Sequence, residues 1–580
     1  MTSRRGFLGG LGGAAAISSL PVYAVGADRP LFRAGLITDT HVGKTKDTCA
    51  NVKAAWELFA RERVDLVANL GDIADHHYPT GYAAYRETVD EVLSAHAGWR
   101  PKELYVYAWH DAYDYKGDIN RSVPRYREAF ADVAKYLRAN ESFAEIELGG
   151  IPILVFPQMM SAEEYVRYEN AVKRAAARHP GMPVFVFDHI PPAGTVAGSF
   201  AGGGDSHRKK ILDRYPSVIA VTGHTHGTIL EEKHIWQGNF TVVNCGCMYN
   251  WGGSLIGRSA PSRKARNAVI MEVYRDRVLF RRFPDVLDPV EHEPSSPWRI
   301  DIPYASGKAR YSHEKRALCE VVDGFPSGAA LSVASVGTPM EAVKVSFPAA
   351  VTPPNMYKLE AFVKGADGKP VRVLRRDLFG EYDVAAAKRA RRLALEIPAG
   401  YLEPETDYGF TVCPYGFFGK EGPTLKVSFK TPSRFAPLGG EKIYEVTGAS
   451  EVLPVFKGWN GVESIATCDK DGVYDLPAGL TRLHLPEALW NAPVGTQYRF
   501  VCDFRLVNNG KGSHLVGIAC PRPLRYFGRA LTPPGDTGDT RTIINFAKSA
   551  EHRTFDICVE GGSKCSLAIR RLAVYRFRTS

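Results

Sequence analysis

Seven side chains of this 580-residue chain have the types and spacing to do chemistry together. Asp39-Thr40-His41 comes first, then Asp72 within Gly71-Asp72-Ile73-Ala74-Asp75. His110-Asp111 follows, then His189 in Asp188-His189-Ile190-Pro191-Pro192, and last Gly223-His224-Thr225-His226. Each group stands just after a short apolar run, which places it at the exit of a strand. Carboxylates and imidazoles gathered at strand ends are the ligand set of divalent transition metals. Two such ions side by side can generate a hydroxide from water and clamp a phosphoryl group. On a strand the side-chain period is two, so residues 39 and 41 point the same way, and so do 224 and 226. Taken singly, each motif also reads as a helix cap or a buried core histidine. The fixed order of all of them is what argues for a metal centre.

The elements that must position these groups alternate between strand and helix from residue 31 to 290, the mark of an α/β layered domain. Strands are predicted at 31–37, 64–70 and 104–107, delivering Asp39, Asp72 and His110 in turn. Helical periodicity covers 49–63, 82–94 and 125–138. A hairpin pattern at 143–148 and 151–156 turns at Gly149-Gly150. A helix at 162–178 precedes a strand at 184–187, which leads to His189. A short helix at 208–215 precedes a strand at 218–221, which leads to His224 and His226. Between them the loop 194–204, with five glycines, is long and expected to border the site.

The order of these motifs resembles the calcineurin-like metallophosphoesterase family over roughly residues 31–290. The resemblance implies an α/β fold, a four-layer α/β/β/α sandwich spanning about residues 31–310, holding two divalent ions (Mn, Fe or Zn). It implies Asp39, His41 and His226 on the first ion, Asp72 bridging both, and His189 and His224 on the second. It makes His110 the catalytic imidazole that meets the substrate phosphate or protonates the leaving oxygen. Asp75 is then the carboxylate that orients that imidazole, with Asp111 as a competing partner. The implied reaction is in-line attack of metal-bound hydroxide on a phosphate mono- or diester. One position departs from the pattern. Where the family has Gly-Asn-His-Asp or Gly-Asn-His-Glu, this chain has Ala108-Trp109-His110-Asp111. An indole nitrogen only donates, so Trp109 cannot replace the amide oxygen that the family's Asn offers the second ion. Asp111 or Asp114 could swing in instead, and Trp109 could wall an apolar part of the substrate. Asn244 and Arg258 are further candidates for substrate contact, with Arg263, Lys264 and Arg266 nearby.

The rest of the chain frames that centre. Its length requires several domains. A net charge of +10 with scattered Lys and Arg suits an anionic substrate, but no nucleic-acid module stands out. Residues 1–27 read as a twin-arginine signal peptide, with Arg4-Arg5 ahead of a Gly/Ala-rich apolar stretch and small-residue cleavage options. That predicts a periplasmic or secreted protein. No later segment is long and apolar enough for a transmembrane helix. The ten cysteines show no framework spacing. Residues 319–432 resemble a fibronectin type III sandwich, chiefly through Tyr408 at the start of a strand, where its hydroxyl would tie back to the upstream backbone. Residues 432–440 read as a linker. Residues 442–580 read as a second all-β sandwich or jelly roll, with strands at 497–506, 515–519, 554–559 and 567–577. Such a unit suits carbohydrate through Trp459, Trp490 or Tyr526, or else buries them in its core. Two functions remain open at this point. One is an exported phosphoesterase acting on a small phosphoester or an envelope polymer. The other is a non-catalytic or one-metal envelope or glycan-binding protein with a degenerate phosphoesterase domain.

Overall fold

The computed structural model describes residues 29–74, 79–112, 123–139, 141–199, 203–251, 263–289, 297–304, 309–338, 340–364, 368, 370–384, 388–433, 440–447, 453–457, 463–465, 468–469, 472–508, 514–521, 524–532, 539–550, 554–561 and 564–577. The leader with Arg4-Arg5, Asp75, Asp114, Arg258 and Trp459 lie outside these residues.

The first unit opens with β1 (Phe32–Ile37), α1 (Thr48–Arg61), β2 (Leu66–Asn69), α2 (Thr80–Ala95), β3 (Lys102–Tyr105) and α3 (Val123–Leu137). It continues with β4 (Ala144–Leu148), β5 (Ile151–Val155), α4 (Ala162–Arg178), β6 (Val184–Phe187), α5 (Ser206–Leu212) and β7 (Val218–Thr222). Next come β8 (Ile235–Gln237), β9 (Thr241–Asn244), the two-residue strands β10 (Asn250–Trp251) and β11 (Arg263–Lys264), β12 (Ala268–Val273), β13 (Arg277–Phe283) and β14 (Trp298–Asp301). The strands form two six-stranded sheets, ordered β14-β13-β12-β1-β2-β3 and β4-β5-β6-β7-β9-β8. β1, β2 and β3 run parallel, as do β5, β6, β7 and β9.

Burial explains the layers. Phe32, Ala34, Leu36, Leu66 and Ala68 of one sheet share a core with Ile153, Val155, Phe185, Phe187, Ile219 and Val221 of the other. The opposite face of the first sheet packs on Trp56, Phe59, Tyr85, Val89 and Phe130 from α1, α2 and α3. The opposite face of the second packs on Tyr168, Val172, Ile211 and Leu212 from α4 and α5. Both faces of the parallel strands are covered, so their residues are apolar almost without interruption. Local chemistry fixes the helix starts. Ser161 and Glu164 form a reciprocal capping box on α4, and the Asp205 carboxylate caps α5.

After a short helix at His313–Cys319, the described residues of the C-terminal half are mainly β, with 3₁₀ turns at Ala399–Tyr401 and Glu487–Trp490. Strands Ser332–Val336, Ala342–Pro348 and Arg392–Pro398 form one sheet. Their Val343, Val345, Phe347 and Ile397 pack on Tyr357, Leu359, Phe410 and Val412 of a facing sheet. The Tyr408 hydroxyl accepts the Glu403 N–H at 2.7 Å, tying the strand start to the upstream backbone. That facing sheet does not stop at the linker. Beside Pro370–Phe379 lies Asp539–Ala547, paired through Arg372 and Thr540, so strands from both sides of residues 432–440 form one nine-stranded sheet. The remaining six-stranded sheet, with Gly479–His484, Asp556–Gly561 and His514–Pro521 at its centre, closes a core around Trp490, Tyr498, Phe546 and Phe555. Trp490 is therefore core packing, and its ring meets three other aromatics rather than solvent. Among the described residues no helix is long and apolar enough to cross a membrane.

Candidate metal centre

The carboxyl ends of β1, β2, β6 and β7 deliver Asp39, Asp72, His189 and His224, the place where parallel sheets present ligands. The two sheets meet here through their backbones. The Asp39 amide donates to the Gly71 carbonyl at 2.9 Å and the His41 amide to the Asp72 carbonyl at 3.0 Å. Within the second sheet the Gly223 amide donates to the His189 carbonyl at 2.9 Å, and across the sheets the Met248 amide donates to the Thr38 carbonyl at 3.1 Å.

The local conformation differs from the expected extended Asp-x-His. β1 ends at Ile37 and β7 at Thr222, and Asp39, His41, Asp72, His224 and His226 all have positive φ, between 41° and 72°. Period-two alternation therefore does not bring the pairs together. These five residues instead sit on left-handed kinks, at a cost of about 1–3 kcal/mol apiece that the surrounding fold holds in place. Two glycines permit the crowding. A Cβ on Gly223 would lie 1.9 Å from Thr38 Oγ1 and 2.7 Å from Asp39 Oδ2. A Cβ on Gly71, whose φ is +103°, would lie 2.7 Å from His189 Nδ1.

One ligand atom from each of Asp39, His41, Asp72 and His226 lies within 4.8 Å of the other three. His226 Nε2 is 3.2 Å from Asp39 Oδ1, and His41 Nε2 is 3.8 Å from Asp72 Oδ2. His189 Nε2 approaches the same Asp72 oxygen, Oδ2, at 3.2 Å. The His224 ring stands 5.1 Å from that of His189. Asp72 thus faces both groups of imidazoles. The outward nitrogens are fixed: His189 Nδ1 pairs with the Leu70 carbonyl and His226 Nδ1 with the Asn250 carbonyl, each at 2.8 Å. Both tautomers then aim Nε2 inward, as metal-bound histidines do.

Two observations test whether a cation fits. Asp39 Oδ1 and His189 Nε2 are buried without a hydrogen-bond partner, which is costly unless another ligand satisfies them. His41 Nε2 and His226 Nε2 face each other at 3.1 Å, tolerable only with a proton or a cation between them. The residues fit a metal centre.

Charges follow the same logic. Burial would raise Asp39 and Asp72, but the neighbouring imidazoles His226 and His189 outweigh it and hold both carboxyls low. Burial pushes His41 and His224 down to about 4. Burial would also lower His189, but Asp72 and Asp39 raise it to about 9, and Asp39 likewise raises His226. Ligation must displace those protons. Binding of Mn²⁺ to the metal-free protein is therefore expected to release protons near neutral pH and to tighten as the pH climbs toward about 9. Calorimetry in buffers of differing ionisation enthalpy checks this, and affinity independent of pH would contradict it. The sign for stability is opposite. The raised His189 stabilises the metal-free fold below the ordinary histidine range, and that contribution is lost as pH rises through about 9.

His110 opens a short 3₁₀ turn, His110–Ala112. Its amide donates to Asp72 Oδ1 at 3.3 Å, and its ring lies 5.2 Å from that of His41. Trp109 lies beside it, ring to ring at 5.2 Å, partly buried against the helix-covered core, with its amide donating to Gln158 Oε1. Asp111 does not swing toward the ions. Buried, it accepts the amides of Asp72, Ile73, Ala74 and Ala108 and the Tyr82 hydroxyl, so it clamps the Asp72 loop. Asn244 is also buried. It donates to the Gly223 carbonyl and accepts from Gly246, which places it behind the His224–His226 turn. Arg266 is paired with Asp285. Gly198 of the glycine-rich loop packs against Thr225, between His224 and His226.

Sequence reasoning missed the clamp role of Asp111, the packing of Tyr249 5.4 Å from the His41 ring, and the carbonyls of Leu70 and Asn250. Asp111 was within reach of inference because it directly follows His110. The carbonyls carry no sequence signal, since every residue has one.

Residues 32–228 match the calcineurin-like phosphoesterase family and form a domain of that class. No curated protein matches the chain. Among solved structures, a dimetal phosphatase from Danio rerio aligns at 14% identity and a TM-score of 0.32, over 48% of this chain and 100% of that one. GAP50, the anchor in the inner membrane complex of Plasmodium, aligns at 13% and 0.33, over 51% and 98%. A Clostridium thermocellum xylanase fragment carrying a CBM22-1 module aligns at 7% and 0.18, over 24% and 30%.

Proposed function

We propose that the protein is an exported, metal-dependent phosphoesterase whose four-layer catalytic domain carries two β accessory units, the first fibronectin type III-like. The observation that carries this reading is Asp72, a buried carboxylate whose Oδ2 is approached by both His41 and His189. Asp39, His41 and His226 would hold one cation, His189 and His224 the other, with Asp72 available to both. Two divalent cations supply Lewis acidity for the phosphoryl oxygens and water acidic enough to attack at neutral pH. His110, beside the His41 ring, meets the ester on the leaving-group side and gives up a proton there. Trp109 supplies an apolar wall next to it.

Measuring metal per purified chain, with hydrolysis of nitrophenyl phosphate and bis-nitrophenyl phosphate in Mn²⁺, tests the reading. Two ions and hydrolysis of either ester are expected. No metal and no hydrolysis would overturn it.

Trp109 and Asp111 together favour a weaker second site. Trp109 has no acceptor to offer, and Asp111 is committed to four backbone amides and the Tyr82 hydroxyl. Trp109→Asn is therefore expected to tighten the second ion by about tenfold, read as a second step in Mn²⁺ titration. Unchanged binding would mean that residue 109 lies outside the coordination sphere.

Export rests on the leader. Changing Arg4-Arg5 to Lys-Lys is expected to retain the protein inside the cell, checked by fractionation. Folding before export would allow the centre to be loaded first.

A further inference from the structure

The segment after β9 touches the metal centre from outside, and the first β unit touches that segment. Cys247, Ala265, Met356 and Phe379 form a small buried cluster, joined at its margin by Tyr382 and Tyr415. Met356 opens one strand of the β unit, Phe379 closes the next, and the two are directly paired. Cys247 belongs to the first unit. Its thiol donates to the Asn250 carbonyl at 3.3 Å, the same oxygen that holds His226 Nδ1 at 2.8 Å. Between them, the Met248 amide is bonded to the Thr38 carbonyl and the Tyr249 ring lies against His41. Four residues of one short segment therefore meet Thr38, His41 and His226, and the first of them, Cys247, packs in one cluster with the β unit.

We propose that the first β unit is a structural part of the metal centre: Met356 and Phe379 press on Cys247 and so fix the Asn250 carbonyl that orients His226. The unit acts as a brace, and Met356, Phe379 and Cys247 are positioning residues. A histidine ligand is set by the acceptor on its other nitrogen, and losing such an acceptor costs roughly 10–100-fold in metal affinity. The Asn250 carbonyl stays in line only while residues 247–250 stay in place. The inference rests on the metal-centre reading above.

The test uses the full chain with Phe379→Ala, the milder Phe379→Leu, and Cys247→Ala. Val345→Ala, in the core of the same β unit but away from the contact, is the control. Hydrogen exchange on metal-free protein reads the brace directly. Phe379→Ala should speed exchange of the Met248 amide by about tenfold or more, with Phe379→Leu in between and no change in Val345→Ala. Mn²⁺ titration reads the consequence. Phe379→Ala and Cys247→Ala should weaken the His226-side ion by about tenfold or more, and Val345→Ala should not. Unchanged exchange at Met248 in both Phe379 variants would overturn the proposal, and so would equal effects from Val345→Ala. If the unaltered protein takes up no Mn²⁺, the metal-centre reading fails instead, and the exchange result alone decides the brace.

Discussion

Asp72→Asn is expected to lower kcat/KM by on the order of 10³-fold while the protein stays folded. The amide keeps the shape and loses the charge, and that charge is what the centre is built around. It faces His41 at 3.8 Å and His189 at 3.2 Å, and its other oxygen accepts the His110 amide. An amide oxygen can still serve one cation, but its NH₂ group cannot serve a second. Metal per chain should therefore fall to one or below. A second consequence needs no metal at all. His189 is raised to about 9 largely by Asp72, with Asp39 behind it, so removing the charge should let His189 titrate lower. The pH dependence of metal-free unfolding would shift accordingly. Near-normal activity with two ions bound would remove Asp72 from the role of shared ligand.

His110→Ala carries the next largest effect and separates chemistry from metal binding. Its ring sits beside His41, and the ligand sets proposed for both cations do not include it. Metal content should therefore be unchanged. Hydrolysis of an alkyl phosphate, whose leaving oxygen needs a proton, should fall by about 10²–10⁴ in kcat. Nitrophenyl phosphate releases nitrophenolate, an anion stable without protonation, and should lose far less. Equal losses on both esters would assign His110 to holding the phosphate. Loss of metal would make it a ligand.

Much of the first unit was legible because its signals are local. Apolar runs with turn residues after them located β1, β2, β6 and β7, and the reading of α4 matches Ala162–Arg178. What failed was geometry beyond the strand ends. Asp39-x-His41 reads as two residues on one face of an extended strand, whereas both lie on left-handed kinks. Those kinks depend on Gly71, Gly223 and bonds between loops 30 to 200 residues apart, and no local pattern records them. Asp111 shows the same limit. Its place directly after His110 suggests a ligand or a partner for that imidazole, and only the positions of four amides reveal a clamp. In the C-terminal half, the composition of 432–440 reads as a linker and carries no signal that strands on either side of it share one sheet.

The pairing of Arg372 with Thr540 has a practical meaning for anyone dividing this protein. A fragment ending near residue 432 would look complete by sequence and would lose the neighbour of Pro370–Phe379. That strand would then become a naked border, with unpaired backbone groups ready to recruit another chain. The same strand ends at Phe379, beside Cys247. Truncation at the apparent linker thus invites aggregation at one end of a strand whose other end abuts the metal centre.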